Sequence, residues 1–78
     1  MSPALPVVKP RECLWVLQKA GFYITHQTGS HARLFHKIRP DLKVTLPIHN
    51  KDIPVGTLKS ILRQANLSVE RFIDLLNG

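Results

Sequence analysis

The sequence predicts an α+β fold in which a three-stranded antiparallel sheet is covered on one face by helices. Three observations carry that expectation. Residues 22–48 fall into three strand-like runs, the first rich in aromatic and β-branched residues, the other two alternating with a period of two. Turn signals separate the runs: Thr28-Gly29-Ser30, then Arg39-Pro40-Asp41-Leu42. On either side, apolar residues recur at spacings of three and four, as in amphipathic helices.

Taken in order, the first helix runs from about Pro10 to Ala20. Proline suits a first turn, Glu12 complements the positive end of the dipole and Lys19 the negative end. Cys13, Leu14, Leu17 and Ala20 make one apolar face, which Trp15 and Val16 widen. Gly21 ends the helix as a C-cap. Phe22 to Gln27, rich in aromatic and β-branched residues, is the first strand. Thr28-Gly29 then closes a hairpin. With Gln27 opposite Ser30 across a two-residue loop, His26 would face His31; a bulge or a longer loop would break that pairing.

In the second strand His31, Arg33, Phe35 and Lys37 share one face, while Ala32, Leu34, His36 and Ile38 share the core-directed face. Lys43 to Ile48 is the third strand, with Val44, Leu46 and Ile48 pointing one way and Lys43 and Thr45 the other. Pro47 near its end marks an edge. Asp52 is the expected N-cap of a second helix with Pro54 in its first turn and Leu58, Ile61, Leu62 and Ala65 as its stripe. Lys59 and Arg63 lie on its outer side, and Asn66 can end it in the left-handed conformation. Ser68 caps a short third helix carrying Val69, Phe72, Ile73 and Leu76. Tight hairpins force antiparallel pairing, and amphipathic helices must cover the apolar sheet face. This α-β-β-β-α order with a short C-terminal helix is the layout of double-stranded RNA-binding domains. Residues 10–78 are expected to form one domain, and residues 1–9 a loose, flexible arm held open by Pro3 and Pro6.

Composition narrows the partners. The 78 residues are 44% hydrophobic and 21% charged, a globular balance. The net charge is +6 and the pI about 10.1, which favours an anionic partner. Residues 1–40 hold six Lys/Arg against Glu12 alone, so most of the excess lies in the half that holds the Gly-Ser-His turn. Cys13 is the single cysteine, which excludes an internal disulfide and suits a small core residue in a reducing compartment such as the cytoplasm. No apolar run approaches the roughly 18 residues of a membrane span, and Met1–Val8 is too short for a signal peptide and lacks a basic start.

Residues 28–37 are where chemistry is expected. Gly29 can adopt positive φ and Ser30 is a turn former. The strand that follows puts the imidazole of His31, the guanidinium of Arg33, the ring of Phe35 and the ammonium of Lys37 on one exposed face. Lys43 joins them from the neighbouring strand. That set suits RNA: cations for phosphates and a ring for an unpaired base. Phe35 can equally cap the hairpin, and Trp15 is either a ring at the core edge or an exposed anchor for a protein.

RNA carries its own nucleophile, the 2′-hydroxyl beside each phosphate. A protein need only move protons and offset charge. Imidazole titrates near neutrality and suits the proton transfers; Arg33, Lys37 or Lys51 can offset the charge. His31 is the first candidate and His49 a possible helper. His26 depends on the hairpin register, and His36 shares its face with Leu34 and packs. The histidine spacing matches no zinc pattern, and no carboxylate or thiol completes a set, so no metal or cofactor is expected.

Several motifs come in a familiar order: Lys19-Ala20-Gly21-Phe22, Gly29-Ser30-His31, Leu46-Pro47-x-His49, and Pro54-x-Gly56-Thr57-Leu58-x-Ser60-Ile61-Leu62-x-Gln64-Ala65. Over about residues 10–76 the chain resembles the HicA, or YcfA-like, toxins of bacterial type II toxin–antitoxin systems. The resemblance implies a dsRBD-like fold, a ribonuclease that cleaves mRNA without a metal, and a HicB antitoxin that blocks the site. It puts the family's catalytic histidine at His31, with Gly29 and Ser30 shaping the turn. Asn66 stands where the family usually has glycine, and Trp15 where it often has a polar residue. Two other readings compete with a ribonuclease: a non-catalytic RNA-binding module of the same fold, and a domain that binds only an acidic protein.

Overall fold

In the computed structural model, which describes residues 4–78, the element order is α1 (Pro10–Lys19), β1 (Phe22–Gln27), β2 (His31–His36), β3 (Lys43–Pro47), α2 (Val55–Ala65) and α3 (Val69–Asn77). The strands form one antiparallel sheet in the order β1-β2-β3. Ala32, Leu34, Val44 and Leu46 point inward, where Cys13, Val16 and Leu17 of α1, Leu58, Ile61, Leu62 and Ala65 of α2, and Phe72 of α3 close a single core. The predicted α+β architecture is the observed one.

The helix ends follow from their residues. Gly21 takes φ 104 after α1, and Asn66 takes φ 58 and ψ 39 after α2, the left-handed conformation expected of it. Ser68 Oγ accepts from the Arg71 amide at 3.0 Å and caps α3. Lys19 Nζ lies 4.0 Å above the Trp15 ring and donates to the Leu75 carbonyl at 2.6 Å, tying α1 to the last turn of α3. Trp15 remains 47% exposed. Burial pushes the Cys13 thiol up to about 12, so it stays protonated and inert.

Several details differ from expectation. Asp52 does not cap α2: its carboxylate pairs with Lys9 Nζ at 3.3 Å, and Pro54 occupies the N-cap position. Ile38 does not face the core but is 81% exposed. The cause is His36, whose Nδ1 accepts from the Ile38 and Arg39 amides at 3.1 and 3.0 Å and turns the chain out of β2. Lys37 therefore lies just past the strand, though its amide still donates to the Gly21 carbonyl at 3.0 Å. Ile48 likewise lies one residue past β3 and is half-buried. The arm expected over residues 1–9 is anchored at its end: Val8 is buried and its carbonyl accepts from the Ile53 amide at 2.9 Å. Residues 1–3 of that arm lie outside the described residues.

Candidate functional site

The turn between β1 and β2 is built by Thr28. Its amide donates to the His31 carbonyl at 2.8 Å, and its Oγ1 accepts from the His31 amide at 3.1 Å and the Ser30 amide at 3.4 Å. One hydroxyl thus satisfies two amides and fixes the loop at Gly29-Ser30, a residue later than Thr28-Gly29. The register moves with it. Gln27 pairs with Ala32 and His26 with Arg33, so His26 does not face His31. Among the described residues Gly21 is the only glycine at positive φ, so Gly29 does not use the freedom expected of it. A Cβ at Gly29 would meet no atom within 4 Å.

Farther from the turn, the β1–β2 register shifts between Ile24 and His26. Thr25 is the extra residue, and its Oγ1 donates to the Arg33 carbonyl at 3.2 Å. This bulge changes which residues share a face. Before it, Ile24 pairs with inward Leu34; after it, Gln27 pairs with inward Ala32. The outer face then carries cross-strand rows: Tyr23, Phe35 and Lys43, then His26, Arg33 and Thr45, then His31 and Pro47. Lys43 Nζ sits 5.5 Å from the centroid of the half-buried Phe35 ring. Tyr23, 44% exposed beside Phe35, belongs to this face, as the period of two in β1 would have shown.

The imidazoles differ in what holds them. His31 is exposed, with Nδ1 3.0 Å from Ser30 Oγ. A hydroxyl can accept or donate, so it suits this ring nitrogen in either protonation state. His49, also exposed, accepts the Lys51 amide on Nδ1 at 3.2 Å, which leaves Nε2 as the protonated nitrogen of the neutral ring. His36 is fixed similarly by the Ile38 and Arg39 amides, and its Nε2–H donates to the Ala20 carbonyl at 2.9 Å. It also meets Phe22 edge-on at 5.0 Å, the packing role expected of it.

A family model for the HicA toxin of bacterial toxin–antitoxin systems matches residues 10–67. The chain belongs to the HicA toxin family. Comparison with curated proteins finds no match. The family match spans α1, the whole sheet and α2 of this HicA chain, and it includes the Gly29-Ser30-His31 turn.

The HicA chain also holds a cleft of about 600 Å3 at the end of the sheet, between the start of α1, the β1–β2 turn and the loop after β3. Leu14 and Ile48 supply apolar wall; Gln27 and Asn50 supply carboxamides; Lys9, Arg11 and His49 complete the polar side. His31 is not in the wall. It stands two residues beyond Gly29, which is. The Ile48 amide donates to the Ser30 carbonyl at 2.7 Å, so the turn bearing His31 and the loop bearing His49 are held together. Lys9 Nζ reaches the Asn50 carbonyl at 3.3 Å and fastens the same loop to α1. Lys51 is exposed in that loop. Gln27, Arg11 and Asn50 were not among the residues singled out in the sequence. For Gln27 the obstacle is the bulge, which no composition signal announces. Among the described residues no group of three His, Cys, Asp or Glu is placed to hold a metal ion, and no helix is long and apolar enough to cross a membrane.

Proposed function

We propose that this chain is a metal-independent endoribonuclease that cleaves mRNA, the toxin of a toxin–antitoxin pair, with His31 as its acid–base group. The observation that carries the reading is the Ser30 hydroxyl beside His31 Nδ1 on a turn pinned by Thr28. With Nδ1–H donated to Ser30 Oγ, Nε2 keeps its lone pair and can take a proton from a 2′-hydroxyl. The 2′-oxygen then attacks the adjacent phosphorus, the P–O5′ bond breaks, and the leaving 5′-oxygen takes a proton from water. The products are a 2′,3′-cyclic phosphate and a 5′-hydroxyl. Ser30 acts as a positioning residue, and Gly29 leaves the approach to the turn open.

His49 is a helper of a different kind. Protonating its Nδ1 would break the bond from the Lys51 amide, so its part is to donate Nε2–H to a phosphate oxygen. Arg33, Lys37 and Lys43 hold RNA phosphates on the outer sheet face, and Phe35 offers its ring to an unpaired base. The same cationic face is where a HicB-type antitoxin with an acidic surface would block the site. Induced expression of the wild-type chain arrests growth, and His31→Ala or His31→Gln does not. Growth arrest by a folded His31→Ala chain would remove His31 from the mechanism. RNA binding without any cleavage by the wild type would leave a non-catalytic binding module.

A further inference from the structure

We propose that the cleft at the end of the sheet is a pocket for one unpaired nucleobase of the RNA, and that Gln27 and Asn50 set which base it accepts. The proposal rests on the ribonuclease reading for its biological use, but its chemistry stands on the cleft. Pro10, Leu14 and Ile48 give it apolar wall against which the flat face of a base can lie. A carboxamide offers both donors and acceptors, which is what the edge of a base requires. The Gln27 and Asn50 side chains make no hydrogen bond within the protein among the described residues, so both are available to a ligand; Gln64, by contrast, spends its amide oxygen on the Thr45 amide. No Asp or Glu lines the cleft, whereas Arg11 does, so an anionic backbone can run past its mouth.

The location ties the pocket to the reacting phosphate. Gly29 forms part of the wall, and His31 follows it across Ser30 on a turn locked by Thr28. A base seated against Gly29 places the phosphate of the same nucleotide beside the turn that carries His31. The bulge at Thr25 gives this arrangement its origin: it turns Gln27 inward, so that one strand end supplies the reading group and the next strand begins with the proton-transfer group.

The test uses the isotopically labelled full chain titrated with each of the four ribonucleoside 3′-monophosphates and followed by NMR. The expected result is saturable shifts at the amides of Gly29, Ile48 and Asn50 and at the side-chain amide of Gln27, with one base bound several-fold more tightly than the rest. Gln27→Ala and Asn50→Ala each weaken the preferred base by roughly 5- to 100-fold, the value of a good base-edge contact, and level the ranking of the four. Glu70→Gln, exposed at the start of α3 and outside the cleft wall, leaves binding as it is. Mapped cleavage of a long RNA should redistribute among sites in Gln27→Ala. Shifts confined to Tyr23, Phe35 and Lys43, or an unchanged base ranking in both amide variants, would overturn the pocket. His31-dependent cleavage with unaltered site choice in those variants would leave the ribonuclease and remove the pocket. Nucleotide binding in the cleft with no cleavage of any RNA would do the reverse.

Discussion

Gly21 and Gly29 show how differently one residue type can be used. Gly21 sits at φ 104, and a Cβ there would lie 2.7 Å from His36 Nε2, the atom that donates to the Ala20 carbonyl. Gly21→Ala therefore forces a strained backbone and breaks a half-buried hydrogen bond, a loss of roughly 2 kcal/mol or more. Gly29→Ala meets open space without a positive φ and should change stability by no more than about 0.5 kcal/mol. Urea denaturation of the two variants checks this, and equal losses would contradict it. The histidines separate on the same grounds. His36 and His49 each accept a backbone amide on Nδ1, which fixes the tautomer; His31 has a rotatable hydroxyl there instead. That difference sets His31 apart from His36 and His49, and the proposal of proton transfer at His31 draws on it.

Among the elements, β3 is one of the two edges of the sheet, β1 being the other. Its Thr45 amide donates at 3.0 Å to Oε1 of Gln64, reached from α2. Gln64→Ala should cost about 1 kcal/mol and speed hydrogen exchange at Thr45 more than at Leu34 in the central strand; unchanged protection at Thr45 would refute this role. All six elements were legible from residue spacing, because each uses local rules: Pro10 and Glu12 at a helix start, Gly21 and Asn66 at helix ends, Ser68 as a cap, alternation through Ala32, Leu34, Val44 and Leu46. What stayed hidden depended on contacts distant in sequence or on one side chain bending its own backbone. Asp52 reads as an N-cap until Lys9 takes its carboxylate. Ile38 keeps the parity of Leu34 until His36 binds the two following amides. Gln27 reads as an ordinary strand residue until the Thr25 bulge turns it to the cleft. Of the candidate site, the Gly29-Ser30-His31 turn and the cationic face were legible; the cleft was not, since its walls come from three separate parts of the chain.

For the whole molecule, charge and topology act together. The helices cover the inner face of the sheet, which leaves Arg33 and Lys43 on the opposite side, with exposed Lys37 just past β2; Arg33 and Lys37 belong to residues 1–40, which hold most of the +6 net charge. Arg33→Ala with Lys37→Ala should weaken binding to many RNAs alike and flatten the dependence of log affinity on log salt by about one unit or more. Lys59→Ala with Arg63→Ala, on the outer side of α2, should matter less. Fluorescence anisotropy across a salt series compares the pairs, and a larger effect of the α2 pair would move RNA to the helical side. In the proposed reaction, RNA is cut through His31 and the substrate's own 2′-hydroxyl. Its most direct test is the reaction of purified wild-type and His31→Ala chains with one RNA in excess chelator, with the product ends identified. The expected result is cleavage by the wild type, a 2′,3′-cyclic phosphate or the 3′-phosphate derived from it, and a rate lower by about 10²- to 10⁴-fold in the folded variant. Activity lost in chelator and restored by a divalent ion, or a His31→Ala chain that cleaves at the wild-type rate, would contradict it.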